Sequence, residues 1–290
     1  MKKTIFAAAM VAALGLNASA LYFDGGVTGT TGPDGYRGTK LDLIIGEGDL
    51  AFNPSMTSYT SDALDKTYRT WGLRGAWESD KYTIGGEAGL TPEVNGYENK
   101  YVGGDITISL TPTSGGKARL AGPGARSTAR GGEGVARVDI GAALKHTMHT
   151  QTAGTSDLET AQTAATLFAG AKVLMLNLSA SYTGYSYGDE DALPQGFTPG
   201  HTFVTSAKPR SSVNARVDIP STLPMVTPFA GYTVTKYKGG SAAAETDESS
   251  AILLGGYVDL NMVVANVTYQ ILNYAGNTDS FVSIGAGIKF

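Results

Sequence analysis

Apolar and polar residues alternate at every second position along nearly the whole of this chain, and no other feature limits its fold as strongly. Between 212 and 219, Val213, Ala215, Val217 and Ile219 alternate with Ser212, Asn214, Arg216 and Asp218. Between 137 and 145, Val138, Ile140, Ala142 and Leu144 alternate with Arg137, Asp139, Gly141, Ala143 and Lys145. Leu176, Leu178, Ala180 and Tyr182 alternate with Asn177, Ser179 and Ser181, and the pattern returns around Leu41, Trp71, Tyr82, Ile106, Leu167, Leu254, Val267 and Ile284. Neighbouring side chains of a strand point to opposite faces, so each segment reads as a strand with one apolar and one polar face. The 39 Gly among 290 residues point the same way, because Gly destabilises helix interiors.

The first twenty residues stand apart from this pattern. Lys2 and Lys3 precede an uncharged run from Ile5 to Leu16, and Ala18-Ser19-Ala20 supplies the small-x-small pattern of a cleavage site. The run is shorter than the roughly 20 apolar residues a helix needs to span a bilayer. Residues 1–20 are therefore expected to be a cleaved export signal, and 21–290 a single domain. No later stretch is long and apolar enough for a helical span. The 22 basic and 26 acidic residues leave no overall basic surface for nucleic acid. With 0 Cys, disulfides and thiolate metal sites are absent.

A soluble sandwich would also alternate. Here the polar face carries charge in nearly every strand, and the segments follow one another as a long meander without Greek-key punctuation. Aromatic residues sit towards segment ends, at Trp71, Trp77, Tyr82, Tyr101, Tyr182, Tyr185, Tyr187, Tyr237, Tyr269, Tyr274 and Phe290. Such rings suit the two interfaces of a membrane.

The leader, the serial amphipathic segments and the final Ile284-Gly285-Ala286-Gly287-Ile288-Lys289-Phe290 together resemble bacterial outer-membrane β-barrel proteins. The resemblance covers essentially all of 21–290 and identifies a class, not a subfamily. It implies an all-β, antiparallel up-and-down barrel with short periplasmic turns and longer extracellular loops. It also implies partners: the lipid bilayer, lipopolysaccharide, and an insertion machinery that reads the C-terminal strand through Ile284, Ala286, Ile288 and Phe290.

Such a barrel has an even number of strands. Outer connections are expected at 31–37, 61–66, 92–100, 147–162, 187–209, 238–249 and 273–278, and inner turns at 47–48, 79–81, 174–176, 220–224 and 260–262. This gives about fourteen strands, with twelve as the alternative. The Gly-rich stretch 113–134 breaks the rule, because it is long yet falls on the periplasmic side. With Lys117, Arg119, Arg126 and Arg130 it reads first as a solvated linker, and otherwise as a basic arm for an anionic partner or a segment folding into the lumen.

If the apolar faces meet lipid, the polar faces line the interior. The inward charges are then Asp42, Glu78, Glu87, Asp105, Asp139, Asp218 and Asp259 against Lys40, Arg74, Arg137, Lys145, Lys172, Arg216 and Lys289. Neither sign is in excess, so weak charge selectivity or partial closure by ion pairs is expected. Ala-Arg-Val-Asp-Ile occurs at 136–140 and again at 215–219, placing Arg137 with Asp139 and Arg216 with Asp218 as inward pairs two residues apart.

Neither acidic outer cluster, Asp189-Glu190-Asp191 nor Glu245-Thr246-Asp247-Glu248, has the spacing of a calcium loop. No metal and no cofactor is expected. His146 and His149 lie three apart and would point to opposite faces of a strand. His201 shares a loop with acids but has no fixed geometry to them, so catalysis is not expected. The leading expectation is a porin-like passive channel for small polar solutes. A non-conducting structural or adhesive barrel is the alternative, and an outer-loop hydrolase the third reading. The oligomeric state is not legible.

Overall fold

The computed structural model describes residues 21–62, 64, 66–111, 119–125, 136–153, 156–189, 208–220, 225–238, 248–260, 262–274 and 276–290. The expected signal, His201 and most of both acidic loop clusters lie outside these residues. Fourteen strands form, two more than the shorter alternative allowed. They are β1 (Leu21–Thr31), β2 (Arg37–Glu47), β3 (Leu50–Thr60), β4 (Tyr68–Glu78), β5 (Tyr82–Val94), β6 (Tyr97–Ser109) and β7 (Ala136–Ala153). The rest are β8 (Ser156–Val173), β9 (Leu176–Tyr187), β10 (Pro209–Asp218), β11 (Val226–Tyr237), β12 (Glu248–Leu260), β13 (Val263–Tyr274) and β14 (Asn277–Lys289).

Each strand pairs antiparallel with its neighbours in sequence, and β1 closes the barrel on β14. The closing register sets Asp24 against Lys289, Val27 against Ala286 and Thr31 against Val282. Phe290 extends it, donating its N–H to Phe23 O at 2.9 Å while Phe23 N–H donates to Phe290 O at 2.7 Å. The two rings stack 4.9 Å apart. Closure leaves no unpaired edge, the condition for placing strands in hydrocarbon.

The outer wall is apolar. Leu73, Val102, Leu144, Leu167, Val213, Val267 and Ile284 are all exposed there. In water such a belt would be a large unfavourable surface, whereas hydrocarbon leaves it at no cost.

The far end differs from expectation in two places. Instead of a loop at 147–162, β7 and β8 run 18 residues each and are joined by 154–155. About 9–11 residues suffice to cross a bilayer, so this hairpin stands above the rest. Thr147, Gln151, Thr160 and Gln162 on one face and Thr150, Thr152, Glu159 and Ala161 on the other erase the hydrophobic contrast that marks a strand. Likewise 92–100 is no loop: β5 and β6 meet through Asn95-Gly96, with φ of 54° and 78°, the left-handed pair of a tight hairpin turn.

β3 carries Pro54, which has no N–H for the ladder, and pairing with β2 skips from Asp42–Ser55 to Ile45–Phe52. The Asn53 side chain fills the gap, its Nδ2 donating to Leu43 O at 2.7 Å and to Asp42 Oδ1 at 2.8 Å.

Candidate functional site

The register places all fourteen charged candidates on one face of the wall, opposite the exposed apolar belt. Their heads are joined in pairs. Lys40 meets Asp42 at 3.4 Å, Arg74 meets Asp105 at 2.8 Å, and Arg137 meets Asp139 at 3.0 Å. Lys145 meets Glu87 at 3.4 Å, Arg216 meets Asp218 at 2.6 Å, and Lys289 meets Asp259. Glu78 is buried and accepts a hydrogen bond from the Tyr22 hydroxyl at 3.3 Å. Lys172 stands beside Arg137 and Asn177 in the sheet.

Both copies of Ala-Arg-Val-Asp-Ile form the same contact, an arginine Nε on the carboxylate two residues ahead. Their surroundings differ. Arg137 and Asp139 are almost fully buried, at 1% and 0% exposed. Arg216 lies over the Phe229 ring at 3.9 Å and reaches the Tyr257 hydroxyl at 3.2 Å.

The described part of the Gly-rich connection, 119–125, folds into the barrel and packs against its inner wall, so the solvated-linker reading is corrected for these residues. Arg119 is 2% exposed. Its Nε donates to Thr83 Oγ1 at 2.8 Å, and its two terminal nitrogens reach the carbonyls of Asp80 and Ser79. Burial and the neighbouring Arg137 press its pKa down, opposed by Asp139, Glu78 and Asp80. Leu120 N–H donates to Asp139 Oδ2 at 3.0 Å.

Two glycines let the segment fit. Gly122 and Gly124 have φ of 88° and 75°, and a Cβ on them would lie 2.3 Å from the Phe168 ring and 2.6 Å from Arg74 Nη1 respectively. Gly170 of β8 yields space in turn, since its Cβ would come within 2.6 Å of Leu120 Cβ. An unpaired buried guanidinium would be costly, and here the Thr83 hydroxyl and the carbonyls of Asp80 and Ser79 take its hydrogens while Asp139 accepts from the backbone beside it.

Cavities lie on both sides of this segment. Towards the far end is one of about 570 Å³, with Pro123 in its lining beside Lys40, Glu87, Asp105, Lys145 and many hydroxyls. Towards the termini is one of about 200 Å³ between Leu120, Ala121, Gly122, Ala125 and the wall at Asn177, Ser179, Arg216 and Asp218.

The tyrosines divide in a way that corrects the expected interface girdles. Trp71, Trp77, Tyr82, Tyr182, Tyr269 and Phe290 are exposed on the outer wall. Tyr101, Tyr185, Tyr187, Tyr237 and Tyr274 instead share the inward face with the charges. Tyr101 sits under Lys145, whose Nζ lies 3.7 Å from the ring centre. Tyr237 joins Ala251, Leu272 and Phe281 in an apolar cluster with Tyr36 and Tyr274. The inward face is therefore not polar throughout, and along β11–β14 it is partly filled by packing. The signal for these rings is their parity: Tyr101 is in step with Asp105, and Tyr185 with Ser181 and Thr183.

His149 faces inward, buried, with Nδ1 2.8 Å from the Tyr97 hydroxyl, while His146 is exposed. Among the described residues no group of three or more His, Asp or Glu is placed to hold a metal.

The fold is shared with solved barrels. CdiB from Acinetobacter baumannii superposes with a TM-score of 0.52 at 9% identity, over 94% of this chain and 60% of that one. The chain thus spans about three fifths of the length of CdiB. The monoaromatic hydrocarbon channel CymD gives 0.49 at 11% identity over 93% and 88% of the two chains. The NanC porin gives 0.47 at 9% identity over 92% and 100%. No protein-family model matches the sequence, and no well-described protein matches it in sequence. The closed antiparallel meander with its outward apolar belt is thus the up-and-down β-barrel fold, shared with CdiB.

Proposed function

We propose that this protein is a passive channel of the outer membrane for small polar solutes, with weak charge selectivity. The observation that carries the reading is the pairing of inward charge. Twelve of the fourteen candidates neutralise one another within the wall, so no ring of one sign faces a passing ion. Residues 119–125 are the constriction in this reading, because they stand between the two cavities. The chain is exported by residues 1–20, meets lipopolysaccharide in the outer leaflet, and is inserted through the strand ending at Phe290. Single-channel recording in planar bilayers tests it. Stepwise currents with a reversal potential close to zero in a potassium chloride gradient support the reading. An electrically silent protein that still inserts points to the non-conducting barrel.

A further inference from the structure

The larger cavity carries a chemistry that goes beyond passive diffusion. We infer that it is a binding site for a neutral polyhydroxylated solute, a short oligosaccharide by chemical class; this rests on the channel reading, which gives such a solute its route to the cavity.

Charge is the first argument. Each ionised group lining the cavity already has a partner in the wall: Lys40 has Asp42, Lys145 has Glu87, and Asp105 has Arg74. A charged ligand would have to break one of these pairs or enter without a counter-charge. An uncharged one meets no such cost.

Hydroxyl chemistry is the second. Thr70 and Thr91 pair at 2.7 Å, and Thr166 and Thr183 pair at 2.9 Å. Either member can be the donor, and each pair uses only one of its two hydroxyl hydrogens. Thr70, Thr166 and Thr183 line the cavity with a surface that can both donate and accept. A sugar hydroxyl has the same double capacity. An apolar ligand would leave this surface unsatisfied.

Aromatic surface is the third. Tyr185 of β9 brings its ring to the cavity, while Tyr59 of β3 and Tyr101 of β6 also line it, the first stacked on Tyr68 and the second covered on one face by Lys145. An aromatic ring with a polar edge suits the C–H faces of a pyranose between its hydroxyls. The volume, about 570 Å³, lies within the range of roughly 300–1,000 Å³ for small-molecule sites.

The test uses the full mature protein in two forms. In planar bilayers, maltose and maltotriose are added and the current is read for transient blocks. In detergent solution, the same sugars are titrated calorimetrically, with L-arginine and L-glutamate at equal concentration as charged controls. We expect sugar-dependent blocks and binding heat that exceed those of the controls. We expect Thr166→Val and Tyr185→Ala to weaken both by about fivefold to tenfold, the scale of one lost hydrogen bond or ring contact. Heat-modifiable migration in gels checks that the variants are folded. Sugar heat without conductance leaves the site standing and removes the channel. Conductance with sugar heat no larger than the controls, or with arginine or glutamate bound preferentially, overturns the site and leaves the channel. Sugar binding unchanged in both folded variants also overturns it.

Discussion

Arg74 on β4 and Asp105 on β6 are joined across the intervening strand by two hydrogen bonds, Nε to Oδ2 at 3.1 Å and Nη2 to Oδ1 at 2.8 Å. What lies between them is Gly85 of β5. A Cβ there would come within 2.3 Å of Arg74 Nη2 and 2.5 Å of Asp105 Oδ2. The pair exists because that position has no side chain. Gly85→Val is expected to separate the two heads and lower the denaturation temperature, with Asp105→Asn close behind at about 3 kcal/mol, since it leaves a buried guanidinium unpaired. Heat-modifiability of the folded band on gels measures both. A Gly85→Val protein as stable as wild type would show that the bridge contributes nothing.

Arg119 holds the inward segment. Its loss in Arg119→Ala removes the contacts to Thr83, Asp80 and Ser79, and single-channel conductance is expected to rise about twofold as the segment leaves the lumen. Gly170→Val, whose Cβ would meet Leu120 Cβ at 2.6 Å, is expected to push the segment off the wall and raise conductance in the same way. Conductance indifferent to both changes would remove the segment from the permeation path.

Charge compensation makes selectivity sensitive to single substitutions. Asp218→Asn strands Arg216, which stays in place against Phe229 and Tyr257. The lumen then gains an unbalanced positive charge, and reversal potentials in a potassium chloride gradient are expected to move towards the chloride limit. Arg216→Gln is expected to move them towards potassium. Identical reversal potentials in both variants would mean that ions do not pass this pair.

At the seam, Phe290 is exposed yet stacked on Phe23. Phe290→Ala deletes this stack together with the terminal aromatic of the expected assembly signal. Slower folding into vesicles containing purified insertion machinery is expected, while folding into detergent alone changes little. An equal delay in both settings would assign Phe290 to seam packing rather than recognition.

Strands, their number and the opposing faces of the wall were legible because a period of two survives wherever one face meets hydrocarbon. The ion pairs within Arg-Val-Asp were legible for the same reason, since residues two apart share a face. Three things were not. Tyr101, Tyr185, Tyr187, Tyr237 and Tyr274 have amphipathic rings that suit an interface as well as a lumen, and only parity with nearby charges separates the two. The upper halves of β7 and β8 have no apolar contrast once they leave the membrane. The path of 119–125 has no period at all. It is fixed by Asp139, Thr83 and the space above Gly170, long-range partners that no local pattern reveals.

The account rests on hydrocarbon outside the wall and water within, and β9 allows that to be read residue by residue. Single cysteines at Leu178, Ala180, Tyr182 and at Ser179, Ser181, Thr183, spin-labelled in the otherwise Cys-free protein in lipid vesicles, report their surroundings through collisions with oxygen and with a water-soluble nickel chelate. Strict alternation is predicted, with 178, 180 and 182 favouring oxygen and 179, 181 and 183 favouring nickel. Low accessibility to both reagents at 178, 180 and 182, the mark of a packed protein interior, would contradict it.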